Sequence, residues 1–193
     1  MSMDFNDAEP QGATGIIPDG TVAPVIINMR GIKTSKSDNR VKGLDLEFTV
    51  IEGAHKGRKA WKWAGFAGNG SEGHNTMVSI TRSSIRAMLE SAYGIDPADD
   101  SPEAMNARRL ADWEDLSGLA FVARFGVEKG SDYVNERTGE TQKGKDKNTI
   151  VAVTPDDPAW QGFKPAKPKP AGKAAQSNGT KQPATGGVSR PNW

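Results

Sequence analysis

The chain contains no cysteine. That excludes a disulfide scaffold, thiolate chemistry and a cysteine-bound zinc, and it suits a reducing compartment. Histidine is nearly as scarce. His55 and His74 both fall in expected loops, with no second ligand at a metal-binding interval, so no metal site is expected. No apolar run approaches the ~20 residues of a bilayer-spanning helix. No charged-then-apolar leader opens the chain, so a soluble, cytoplasmic protein without membrane contact is expected. The glycine-rich stretch 65–73 lacks the Gly-Lys-Ser/Thr of a phosphate-cradling loop. No serine sits in a nucleophile elbow, and no internal repeat is visible. These absences make an enzyme the weaker class, with no catalytic residue and no cofactor to name.

What is present is 193 residues with a net charge of +1, enough for one domain plus tails. The small net charge hides a division. Residues 164–193 hold six cations and no acid, so the other 163 residues sum to +1 minus 6, or −5. Within them, Arg30 to Lys62 has nine cations against four acids, and Glu90 to Asp115 has eight acids against two cations. A domain with a basic and an acidic end can orient a polyanion at the basic one. Two solvated faces would have the same composition.

Residues 1–17 are small and polar and read as a flexible arm. Pro18-Asp19-Gly20 signals a turn. Thr21 to Met29 is rich in β-branched residues and predicts a strand, with Pro24 near its edge. Gly31 to Gly43 predicts a hydrophilic loop. Leu44 to Ile51 alternates cleanly, Leu44, Leu46, Phe48 and Val50 against Asp45, Glu47 and Thr49, which is a half-buried strand. After a turn at Glu52 to Gly57, Lys59 to Phe66 predicts a third strand that forms a hairpin with the second. Gly65 to Gly73 predicts a flexible link. Thr81 is the expected cap of a helix whose stripe is Ile85, Met88, Leu89 and Ala92 and which ends at Gly94. Ser101-Pro102 opens a second helical segment with a rougher stripe of Met105, Leu110, Trp113 and Leu116. Leu119 to Glu128 and Thr149 to Thr154 predict two more strands, separated by a long loop, Gly130 to Asn148. Trp160 and Phe163 are placed to pack back on the domain, whose expected limits are 18 and 163. Residues 164–193, rich in Lys, Pro and Ala, predict a disordered basic tail.

The most informative stretch is Gly57-Arg-Lys-Ala-Trp-Lys-Trp-Ala-Gly-Phe66. On a strand, Lys59, Trp61 and Trp63 share one face, with Arg58 and Lys62 beside them. Rings interleaved with cations suit single-stranded nucleic acid, because the rings stack on bases while the cations neutralise phosphates. Two tryptophans on one face also suit a core. The order of strand, strand, strand, helix, strand, strand is that of a five-stranded OB-like barrel with a helical insertion between strands 3 and 4. The second and third strands and two loops of such a barrel bind oligonucleotides. That placement favours Trp61 and Trp63 as a stacking platform, with Tyr133 as a weaker candidate. Arg30, Lys33, Lys36, Arg40, Arg58, Lys59 and Lys62 become candidates for phosphate contact, and Lys143, Lys145 and Lys147 become clamps from the long loop.

Several short motifs occur in a suggestive order: Ile-Pro-Asp-Gly-Thr at 17–21, Lys33-Thr-Ser-Lys36, the Leu-x-Leu-x-Phe-x-Val strand followed by Gly-x-x-x-Gly-Arg-Lys, and Ala-Tyr-Gly-Ile-Asp at 92–96. Over roughly residues 16–160 the chain resembles a phage-encoded family of small single-stranded DNA-binding proteins of the OB type. The resemblance implies non-catalytic binding of single-stranded DNA with little sequence preference, in phage replication or recombination. It also implies recombinase or replication proteins as further partners, and it is compatible with a homodimer. Many such proteins end in an acidic tip that recruits partners. Here the end is basic, Ser-Arg-Pro-Asn-Trp, which puts that route in doubt. Two other readings stay open. One is a protein-interaction module, since Trp and Arg also anchor protein interfaces. The other is a small metal-dependent nuclease using Asp99, Asp100, Asp112, Glu114 and Asp115.

Overall fold

The computed structural model describes residues 15–134, 137 and 139–168. Residues 1–14 of the expected arm and 169–193 of the expected tail lie outside them. Five strands form one antiparallel sheet: β1 (Val22–Thr34), β2 (Lys42–Val50), β3 (Lys59–Ala67), β4 (Ala120–Glu128) and, last in the chain, β7 (Lys147–Ala152). The order across the sheet is β3-β2-β1-β4-β7. The ends of this row curl toward each other, and Cα atoms of β3 and β7 come within 8 Å, yet no ladder joins them. The sheet is therefore open at that seam: the five antiparallel strands of the expected OB-like, partly open barrel are present, but hydrogen bonding does not close them into a barrel.

The core lies on the concave face. Leu44, Leu46, Phe48 and Val50 of β2 are fully buried there with Val25, Ile27, Phe121 and Phe125. Phe48 and Phe121 meet edge to face at 5.9 Å, a favoured aromatic geometry. Helix α1 (Glu72–Tyr93) covers the open end with the expected stripe of Ile85, Met88, Leu89 and Ala92. It ends as predicted at Gly94, whose φ of 68° suits a residue without Cβ. Its start was misplaced, however. The cap is Ser71, whose Oγ accepts from the His74 N–H, and Thr81 is a buried residue within the helix. The expected flexible link at 65–73 is consequently strand to Ala67 and helix from Glu72.

Strand β1 also runs farther than predicted. It passes a bulge between Met29 and Gly31, where Gly31 takes φ 128°, and continues to Thr34. The expected loop Gly31–Gly43 shrinks to residues 35–41. Ser101 caps a short helix α2 (Pro102–Ala107) as read, but the rest of that segment is a turn and a 3₁₀ helix, Trp113–Leu116. The expected long loop 130–148 stops at residue 146, before β7 begins, and carries a small hairpin of its own, β5 (Tyr133–Val134) with β6 (Thr141–Gln142).

Both expected domain limits are crossed by contacts. Ile17 is buried, its N–H donates to Asn148 Oδ1 at 2.9 Å, and its carbonyl accepts from Asn148 Nδ2 at 2.7 Å. At the other end the Ala166 N–H reaches the Ala92 carbonyl at 2.9 Å. Trp160 packs back as expected, donating Nε1–H to the Ser91 carbonyl and meeting Phe163 edge-on. Among the described residues no helix is long and apolar enough to cross a membrane.

Candidate nucleic-acid interface

The register of β2 on β3 sets Glu47 opposite Trp61, Asp45 opposite Trp63 and Thr49 opposite Lys59. Directly opposite residues of an antiparallel pair interact, and the Glu47–Trp61 pair does so through a hydrogen bond. Glu47 Oε2 accepts from Trp61 Nε1 at 3.1 Å and Oε1 accepts from Lys59 Nζ at 2.7 Å. Asp45 Oδ2 lies 2.5 Å from Lys33 Nζ and 3.8 Å from Arg30 Nε. The outer face of β2, expected to be open to solvent, is thereby covered, and Asp45 and Glu47 are each only 9% exposed. The Lys59 ammonium, aided by the Trp61 N–H, holds the Glu47 carboxyl below its ordinary range despite burial. It is ionised at neutral pH.

The tryptophans sit above these acids. Trp61 is 54% and Trp63 41% exposed, so neither ring belongs to the core. Trp61 is fixed by its hydrogen bond. Trp63 lies over Gly43, where a Cβ would collide with its Cε2. Gly43→Ala is therefore expected to push the Trp63 ring off β2. A red-shifted tryptophan emission with little change in Tm would report the displacement, and an unchanged spectrum would count against this packing.

The other candidates divide. Arg30 and Lys33 flank the pair through Asp45. Lys36 is exposed in the 35–41 loop. Arg40 is held by Asp38 through two 3.0 Å bonds, and this guanidinium pulls the Asp38 carboxyl far below the usual carboxylate range. Asp38 also accepts from Asn69 Nδ2 at 2.9 Å, which ties the loop to the start of α1. Arg58 lies at the far end of β3 beside His55, 3.2 Å away. Lys62, a phosphate candidate from sequence, leaves β3 on the face opposite the tryptophans, toward Ser84 of α1. Lys143 and Lys145 are exposed on the long loop, while Lys147 pairs with Glu128 at 3.1 Å. Tyr133 lies on β5. The loop base is pinched where Gly130 and Gly144 approach too closely for any Cβ, and Asp146 binds both the Gly130 N–H and Lys129 there. Asp146, Lys147 and Asn148 share a recess with Lys59 and Trp61, so the root of the loop adjoins the platform.

Charge on this face is cationic but largely pre-paired. Arg30, Lys33, Lys36, Arg40, Lys42 and Lys59 stand against Asp38, Asp45 and Glu47, six minus three, a net of +3. The acids position the cations and the indole. A polyanion arriving here meets half-exposed cations whose geometry is already set.

The acids at the other end have structural roles. Asp99 Oδ1 accepts from Ser101 N at 2.8 Å, Asp112 Oδ1 from Glu114 N, and Asp115 Oδ2 from the Ala111 and Asp112 N–H groups. Asp100 points outward, 3.9 Å from Arg108. Among the described residues no three His, Asp or Glu side chains converge to hold a metal ion.

Sequence reasoning missed Asp45 and Glu47 as the supports of the platform. The signal was two acids two apart on one strand and two tryptophans two apart on the next. It also missed Ile80 and Val151, both well exposed, which line a cleft beside Trp61 and Trp63. No family model matches the chain, and comparison with curated proteins finds no similar sequence.

Proposed function

We propose that the chain binds single-stranded DNA with little sequence preference, without catalysis, by stacking bases on Trp61 and Trp63 and neutralising phosphates with Arg30, Lys33, Lys36, Arg40 and Lys59. The observation that carries this reading is the exposure of both rings on one strand face, 54% and 41%, beside cations held at fixed positions. Exposed aromatic faces with a basic border suit single strands because every base has a π-face. The strand order, open between β3 and β7 and covered there by α1, fits a partly open OB-type barrel, which binds oligonucleotides on this part of its surface. The resemblance drawn from the sequence motifs supports a role in phage DNA replication or recombination, in the host cytoplasm beside recombinase or replication proteins.

The test is a salt series of binding to oligo(dT) and to duplex DNA, followed by tryptophan fluorescence. Stacking is expected to quench the emission on single strands and not on duplex. Each neutralised phosphate of a single strand contributes about 0.7 to the slope of log K against log salt, so three to five contacts weaken binding roughly 20- to 100-fold between 50 and 200 mM. Affinity that barely moves with salt would remove the electrostatic half of the proposal. A protein partner is the second reading, favoured by exposed Ile80 and Val151 beside the tryptophans. In that case oligo(dT) leaves the fluorescence unchanged.

A further inference from the structure

The seam between β3 and β7 opens into a cleft of about 700 Å³ roofed by α1, with Trp61 and Trp63 at its rim and Ser83, Ser84, Ile80 and Val151 along its walls. Lys62 projects into it. Its register partner is core residue Leu46, so its side chain leaves β3 on the face opposite the indoles. Its polar contact among the described residues is Ser84 Oγ at 3.3 Å. Arg30, Lys33, Arg40, Lys59 and Lys147 each have a carboxylate partner. Lys62 has none among the described residues, although burial is enough to depress its pKa. Among the described residues the acid lining the cleft is Glu128, and it is bound to Lys147. A partly desolvated ammonium without a counter-ion is costly, and an incoming anion supplies what is missing.

We propose that this cleft is a phosphate subsite, in which the Lys62 ammonium and the Ser84 hydroxyl take one backbone phosphate of a strand whose bases stack on Trp61 and Trp63. The proposal rests on the single-strand reading above. The geometry is direct. Lys62 lies between the two tryptophans in the chain, and all three residues line the same cleft. A strand stacked on the rings therefore passes the mouth of this cleft. The apolar walls lower the local dielectric and strengthen a charge-assisted contact there.

The experiment compares oligo(dT) binding by the full chain and by Lys62→Met, Lys62→Arg and Ser84→Glu, each across a salt series. Lys62→Met is expected to bind roughly tenfold more weakly at low salt, with its salt slope reduced by about 0.7, the loss of one phosphate contact. Lys62→Arg should keep the slope. Ser84→Glu gives Lys62 an internal counter-ion, so it should show the same loss as Lys62→Met and serves if that variant does not fold. If the wild type binds with steep salt dependence and folded Lys62→Met or Ser84→Glu matches it, the subsite is wrong while the platform reading stands. If the wild type binds no oligo(dT), the single-strand reading fails. Titration with inorganic phosphate and with thymidine monophosphate, followed at the Ser84 amide by NMR, then decides the subsite. A saturable shift abolished in Ser84→Glu supports a site for free phosphate groups, and no shift overturns it.

Discussion

Replacing both Trp61 and Trp63 by alanine is expected to weaken oligo(dT) binding at least 30-fold while leaving the protein folded. Stacking is worth about 1–3 kcal/mol per base, so two rings account for ~2–6 kcal/mol, and 2 kcal/mol already corresponds to about 30-fold. The folded state should lose much less. Both rings are about half exposed, so the apolar area they bury is a fraction of an indole. Glu47 keeps its bond to Lys59 when Trp61 is gone. A shift in Tm of a few degrees is expected, not a collapse. The single variants separate the roles. Trp61 is held by Glu47, so Trp61→Phe tests whether a fixed ring matters, since phenylalanine stacks but cannot donate to the carboxylate. If the double variant is folded and binds as tightly as the parent, the platform is not the site. If it unfolds, the rings carry more of the fold than their exposure implies.

The platform shows where the sequence was informative and where it was silent. Strand β2 was legible because its period-two pattern reports a sheet with a core on one face. The α1 stripe from Ile85 to Ala92 was legible for the same reason at helical period. The first ten residues of α1 were not. Its inward-facing residues are His74, Met77, Val78 and Thr81, two of them polar, while the apolar Ile80 is 59% exposed, so hydrophobicity does not trace the buried face, and Gly73 and the polar residues around it look like loop. The extension of β1 was hidden by the bulge at Gly31, which breaks the alternation. In the site, the residue types were visible but the partnerships were not. Pairing of Glu47 with Trp61 and Asp45 with Trp63 follows from the β2–β3 register, which depends on the shape of the 51–58 turn. Strict alternation from Trp61 puts Lys62 on the other face with Ala60, Ala64 and Phe66, an awkward residue for a barrel interior and still a candidate for phosphate contact; what it meets there, Ser84 of α1, no local pattern announces. The link from Asp38 to Asn69 joins two loops 31 residues apart, and no local pattern announces it.

The acidic end offers a second large effect, on stability. Glu90 is only 3% exposed, and its Oε1 lies 2.7 Å from both Arg86 Nε and Arg108 Nε. Arg86 is half exposed, but Arg108 is nearly buried, and it also donates to the carbonyls of Asp99 at 2.6 Å and Asp96 at 3.0 Å. One guanidinium thus neutralises a buried carboxylate and pins the 95–101 connector to α1 and α2. Removing one partner of a buried pair costs about 3–5 kcal/mol, because the other charge is left uncompensated. With Arg86 remaining, Arg108→Ala is expected near the lower end, about 3 kcal/mol, or a fall in Tm of roughly 6–12 °C for a domain of this size. Arg108→Lys should recover only part of this, since an ammonium cannot span Glu90 and both carbonyls. Binding of oligo(dT) measured well below the lowered Tm should be unchanged, because Arg108 and Glu90 support the helices and lie apart from the proposed platform. A Tm for Arg108→Ala within a degree of wild type would show that the network adds little stability. A loss of DNA affinity in the folded variant would show instead that the two ends are coupled, through α1 and the cleft it roofs.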